Sequence, residues 1–274
     1  MNGKGRMRTA WILTHFASLV VAFLLLFYGY SLHGLSYSFR PYVGLALVSG
    51  LTAPSTFIYL EERRRRLIDD ALPRLLEGIS ESYEAGLTLL QAIEESSRRK
   101  YGPITKELKK LARDLAWGAN TEAAFKAFSE RVGTELSTRV TTLIVEAMKF
   151  GGDIKSVFRS TSEFARKMVA LRDERESQLR LYLAVVYISI IVFIIIMIIL
   201  YQSFFLPISI EPTQFLRLPM TIEDYKALIF DISIIEALFG GLIAGKLSHG
   251  LVLSGLKHSL ILTAIATVSF WLVF

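Results

Sequence analysis

The chain alternates between long uncharged apolar runs and one extended block in which charged and apolar residues interleave. An apolar run of about 18 residues or more has the length to cross a bilayer as a helix, because about 20 residues at 1.5 Å each span the hydrocarbon core. Runs of this kind cover 10–30, 41–60 and 181–206, the last around the highly apolar 185–200. The stretch 227–247 has the same character around Asp231 and Glu236, and 251–274 is interrupted by Lys257 and His258 near its start. Five membrane spans are expected. The block between the second and third spans, 61–180, carries a helical rather than an alternating pattern. Ile68, Leu72, Leu75, Leu76, Ile79 and Tyr83 share one face near its start. Val157, Thr161, Phe164, Met168 and Leu171 share one near its end.

Breaks divide the block into about six helices. They fall at Gly86, at Tyr101-Gly102-Pro103, at Gly118-Ala119-Asn120, near Gly133 and at Gly151-Gly152. Asn120 or Thr121 can cap a helix beginning at Glu122, and Asp153 can cap the last. Pro73 either opens its helix, with Asp69 or Asp70 as cap, or kinks it. Between 153 and 206 there is neither Gly nor Pro, so the last helix of the block has the sequence to continue into the third span. Such a helix would be roughly 80 Å long; the alternative is a hinge near 174–180, where the apolar seam fades. The expected fold is an all-α, polytopic membrane protein in three parts: a transmembrane pair (1–60), a helical domain (61–180) and three transmembrane helices (181–274).

Charge sharpens this frame. Of 31 Lys and Arg, 23 lie in 61–180, with 20 of the 25 Asp and Glu, yet the block holds no His and the chain no Cys. The side chains most used for metal binding and nucleophilic catalysis are missing from the polar block, which argues against an enzyme and leaves no disulfide or zinc site. The net charge of +6 does not indicate nucleic acid. Basic residues beside membrane helices mark the cytoplasmic side. Lys4, Arg6 and Arg8 precede the first span, Arg63, Arg64, Arg65 and Arg66 follow the second, and Lys246 and Lys257 flank the link between the last two. The loop 31–40 has only Arg40, and 207–226 sets Arg217 and Lys226 against Glu211, Glu223 and Asp224. The N-terminus and 61–180 are therefore expected in the cytoplasm of a multi-pass cell-membrane protein, with the C-terminus outside. The first run, longer than a signal-peptide core, reads as a retained anchor. Arg63–Arg66 are read as an anchor at the lipid interface.

Several patterns carry candidate chemistry. Gly240–Lys246 has the spacing of a phosphate-binding loop, but Leu247 stands where Ser or Thr would hold magnesium, and no strand precedes it. Ser233, Ala237, Gly241 and Gly245, broadened by Gly240, instead form a small-residue stripe for close helix packing, within the chain or across a dimer. Asp231 and Glu236 are intramembrane acids, which are costly and usually face protein or water. They support an alternative reading as a small transporter or channel. His15, His33, His249 and His258 have no metal-ligand spacing. Arg98, Arg99 and Lys100 at one helix end, with Lys106, Lys109, Lys110 and Arg113 on the next helix, form a candidate basic docking surface.

Two stretches resemble a known family. Leu72-Pro73-Arg74-Leu75-Leu76, followed by Glu84-Ala85-Gly86-Leu87-Thr88-Leu89-Leu90-Gln91-Ala92-Ile93-Glu94, resembles the opening of the type II secretion system F domain. Glu146-Ala147-Met148-Lys149-Phe150-Gly151-Gly152-Asp153-Ile154, with the helix and apolar run beyond it, resembles its second half. The resemblance covers about 67–206. Gly240 to His258 looks like the C-terminal hairpin of the platform proteins of archaeal pili and the archaellum. Lys149-Phe150 departs from bacterial members, which often carry Glu before the Gly pair. Many members hold two such domains, whereas this chain has one and is nearer in size to tight-adherence pilus platforms. The resemblance implies a membrane platform for type IV pilus-like filaments or type II secretion. Its implied partners are a hexameric secretion ATPase in the cytoplasm, pilin subunits in the membrane, and a second copy or second platform subunit. It implies no cofactor and no catalysis by this chain.

Overall fold

The computed structural model describes residues 3–34, 36–210 and 221–273; among these, the side chains of 3–10, 209, 210 and 249 are outside the description. Glu211, Arg217 and the side chains of Lys4, Arg6, Arg8 and His249 therefore lie outside the described residues. Among the described residues there is no strand. The helices are α1 (Gly3–His33), α2 (Arg40–Glu84), α3 (Leu89–Arg98), α4 (Ile104–Ala116), α5 (Thr121–Val132), α6 (Glu135–Lys149), α7 (Ile154–Leu200), α8 (Leu206–Ile210), α9 (Ile222–His249) and α10 (Leu256–Val273). A π-helical turn, Tyr201–Phe205, lies between α7 and α8. Among the described residues, five helical stretches are long and apolar enough to cross a membrane: Trp11–His33, Tyr37–Glu84, Ile154–Ile208, Ile222–Ser248 and Val252–Val273. The fold is thus an all-α polytopic membrane protein. Helix α7 is continuous through 174–180, and the regular ladder ends just before Pro207. Proline has no N–H for the carbonyl four residues back and its ring crowds that carbonyl, which accounts for the π turn at that point.

The chain divides into two compact units, Leu60–Arg175 and the remainder. In the first, α2 supplies Ile68, Leu72, Leu75, Leu76 and Ile79 to one core, the face its periodicity predicts. Ile93 of α3, Ile104, Leu108 and Leu111 of α4, Phe125 and Phe128 of α5, and Val140 and Ile144 of α6 close over it. On α7 the buried stripe is Phe158, Thr161, Ser162 and Ala165. The predicted stripe is corrected at one position: Thr161 is buried and Val157, Phe164 and Met168 pack half-buried against this core, but Leu171 is exposed. Small residues sit at the true centre because α2 comes close there, and the Ser162 hydroxyl donates to the Pro73 carbonyl at 3.0 Å. Pro73 neither opens nor ends a helix, since α2 runs through it. Asp69 and Asp70 are consequently not caps; both face Arg172 of α7. Arg166–Glu77 at 2.8 Å and Lys155–Glu84 at 3.6 Å continue that seam. The caps at α5 and α7 follow from local chemistry: Asn120 accepts from the Ala123 N–H and Asp153 from the Ser156 N–H.

In the second unit, Ile190, Ile194 and Tyr201 pack with Ile229, Phe230, Ile234 and Ala237 of α9 and Leu262, Ala266 and Phe270 of α10. Helix α1 lies along α2: the Ser18 hydroxyl donates to the Ser49 carbonyl, and Trp11 meets Phe57. Leu13, Phe16, Leu19, Phe23 and Phe27 of α1 are exposed. An uncharged face of this kind suits hydrocarbon rather than water.

Candidate functional site

Helix α4 is amphipathic by construction. Ile104, Leu108, Leu111 and Ala112 are fully or nearly buried, which turns Lys106, Lys109 and Arg113 outward. Across from them, Glu94, Ser97 and Arg98 of α3 form the opposite wall of an open groove of about 930 Å³. The groove brings together Arg98, Lys106, Lys109, Lys110 and Arg113 of the predicted basic surface. Arg99 and Lys100 do not line it. Helix α3 ends at Arg98, the backbone at Arg99 is extended, and Arg99 points to Glu81 at 3.9 Å. The cations differ in their partners. Lys110 reaches Glu107 at 2.8 Å, and Arg131 of α5 reaches Glu107 at 3.2 Å and Asp114 at 3.3 Å. Lys106, Lys109 and Arg113 have no carboxylate within 4.0 Å among the described residues. Two exposed aromatics escaped the sequence reading. Trp117, at the C-cap of α4, is 90% exposed, and Phe150, at the C-cap of α6, is 86% exposed. The available signal for Trp117 was its spacing of four from Arg113 just before the Gly118 turn.

Glu107 fixes α4 to α5 in a pH-dependent way. Burial raises its pKa, but the Lys110 hydrogen bond and the charges of Lys110 and Arg131 outweigh it and leave the carboxyl below its ordinary value. A depressed carboxyl stabilises the fold above its unfolded pKa, about 4.3. That contribution is lost as pH falls through the lower folded value. Thermal melts from pH 7 to pH 3 should therefore show a wild-type loss below about pH 4.5. Glu107→Gln should be less stable at pH 7 and should converge on wild type in acid.

The small-residue stripe is an internal contact. A Cβ on Gly241 would overlap the backbone of Ser259, and one on Gly245 would overlap Gly255 and Ser254. Ser233 and Ala237 are buried on the same helix, and the Ser259 hydroxyl donates to the Leu238 carbonyl at 2.8 Å. Gly240 faces α7 instead, where its Cβ would meet Ile190 Cδ1 at 3.0 Å. Gly240–Lys246 lies inside α9 with no strand before it, so it forms no phosphate loop. The two acids separate. Asp231 is gripped by Arg40, with Nε and Nη2 both at 3.1 Å from carboxylate oxygens. Glu236 is half-buried and makes no hydrogen bond or ion pair among the described residues. Of the arginines at 63–66, Arg64 and Arg65 reach Glu61, Arg66 reaches Asp173, and Arg63 is exposed. His15 stacks edge-on with Trp11, His33 lies by Tyr42, and His258 Nδ1 is 2.8 Å from the Tyr187 hydroxyl. No group of metal-ligating side chains occurs among the described residues.

Known proteins place this architecture. The family model of type II secretion system protein F matches residues 75–202. An uncharacterized protein of Methanocaldococcus jannaschii is 25% identical over 253 residues, covering 89% of this chain and 41% of that protein. Flagella accessory protein J of the same organism is 26% identical over 182 residues, covering 65% of this chain and 32% of its own length. The chain spans less than half the length of these curated relatives. No solved structure matches. From the second half of α2 to the π turn, then, this membrane chain is similar to type II secretion system protein F.

Proposed function

We propose that the chain is an integral platform for assembling type IV pilus-like filaments, of the archaeal pilus, archaellum or type II secretion-like kind. In this reading it couples a cytoplasmic secretion ATPase to the insertion of pilin subunits, and it moves rather than catalyses. The observation that carries the reading is the protein F match over a helical unit set among five apolar helices. The similarity to a flagella accessory protein supports the filament class. The positive-inside pattern supports 61–180 and the N-terminus in the cytoplasm and the C-terminus outside. Domain limits at 60 and 180 follow from the same reading. Motion would pass along α7, which runs from Ile154 to Leu200. The longer curated relatives support pairing with a second copy or a second platform subunit. The basic groove is the proposed ATPase contact, and Arg63–Arg66 the proposed lipid anchor.

Affinity purification from detergent-solubilised native membranes should recover the cognate ATPase and unassembled filament subunits with this chain. Recovery of neither would remove the reading. Because the chain has no Cys, single-cysteine labelling can test orientation directly. Cysteines at Ser160 and Lys126 should react only after the membrane is opened. The unpaired Glu236 favours a second reading, a small transporter; it requires solute or ion flux in proteoliposomes that Glu236→Gln abolishes.

A further inference from the structure

The exposed face of α4 carries more information than its net charge. Lys106, Lys109 and Arg113 follow one another at spacings of three and four, so they form one row. Trp117 extends that row by one more turn, to about 17 Å in all. All four side chains are exposed, and none of the three cations is neutralised by a carboxylate within 4.0 Å among the described residues. The neighbouring cations Lys110 and Arg131 are neutralised, by Glu107 and Asp114. The row therefore keeps its charge where the rest of the local surface has spent it. A tryptophan that is 90% exposed is unusual, because the indole carries a large apolar area. The groove lining ends at Ala116 and Trp117 stands just beyond it, so an Arg-lined groove has an exposed Trp at its mouth, the residue types of an interface hot spot.

We propose that this row binds an acidic amphipathic helix of a protein partner. The helix would lie in the groove between α3 and α4, with carboxylates at spacings of three and four against Lys106, Lys109 and Arg113 and an apolar residue closing over Trp117. The inference rests on the platform reading and assigns the motor ATPase's contact to this row. Charge complementarity selects an acidic occupant. The three cations span only about 10 Å along α4, a short footprint for duplex nucleic acid.

The test uses the full chain in nanodiscs of neutral lipid, with Trp11 and Trp271 replaced by Phe so that Trp117 is the sole indole. Titration with the purified cognate ATPase should move the Trp117 emission to shorter wavelength as the ring leaves water. Trp117→Ala should weaken ATPase binding about thirtyfold, the size of a hot-spot tryptophan. Lys106→Glu, Lys109→Glu and Arg113→Glu together should weaken it at least as much and flatten its salt dependence. Arg139→Glu with Arg159→Glu, exposed cations on other faces, should change it less than threefold, and every variant should melt with wild type. ATPase binding that ignores the row and leaves the emission fixed would overturn this assignment and leave the platform reading standing. No ATPase binding by wild-type chain would overturn both. Capture of anionic vesicles by the row, with ATPase binding unmoved, would make it a lipid contact and overturn the protein assignment.

Discussion

Replacing Gly245 by leucine should destabilise the α9–α10 hairpin by more than about 3 kcal/mol, at the upper end of overpacking effects. A Cβ at that position would sit inside the backbone of Gly255 and Ser254. A flexible side chain can swing aside, but a backbone wedged between two helices can yield only if the helices part. The hydroxyl of Ser259 on the Leu238 carbonyl would be pulled apart with them. Gly241→Leu should behave similarly against Ser259. Gly240→Ala is the contrast: its methyl would press only on the end of Ile190, which can rotate, so the cost should stay below about 1 kcal/mol. Gly50→Ala meets nothing within 4 Å inside α2 and should stabilise by about 0.5–1 kcal/mol. Thermal unfolding in one detergent would rank the four. Equal losses for Gly240→Ala and Gly245→Leu would show that the stripe does not pack as described.

Phe158→Ala should cost the helical unit about 3–5 kcal/mol. Phe158 is fully buried and packs against Phe125 of α5, at 6.4 Å between ring centroids, so its loss opens a cavity between α5 and α7. Surrounding helices can close such a space only in part, and the residual void adds to the lost transfer energy. Leu171→Ala, on the same helix but exposed, should change stability by less than about 0.5 kcal/mol. The pair tests the register of α7. Comparable losses would favour the face predicted from apolar spacing alone.

That register shows where sequence reasoning reached its limit. The helix breaks were legible because Gly102, Pro103, Gly118, Gly133 and Gly151 interrupt otherwise periodic runs, and the core face of α2 was legible because Ile68, Leu72, Leu75 and Leu76 are all large. The core face of α7 was legible only in part: Val157, Thr161, Phe164 and Met168 lie on it, Leu171 does not. Its centre holds Ser162 and Ala165, which an apolar template skips, and close approach of α2 is what makes small residues correct there. The basic cluster was visible as composition, but its division was not. Arg99 and Lys100 leave the groove because α3 ends at Arg98, and Lys110 is bound to a neighbouring acid. Nothing in the local pattern separates an exposed Trp117 from a buried one; its exposure follows from its place at the C-cap of α4. Asp231 was read with Glu236 as a pair of acids, whereas its partner is Arg40, 191 residues away in the chain.

The proposed role, filament assembly with the chemistry supplied elsewhere, predicts what cells do without this chain. Electron microscopy of cells lacking the gene tests it most directly, with an immunoblot of their membranes for filament subunits. The account predicts bald cells whose membranes still contain processed, unassembled subunits, with filaments restored by the wild-type gene. Normal filaments on cells lacking the chain would contradict it.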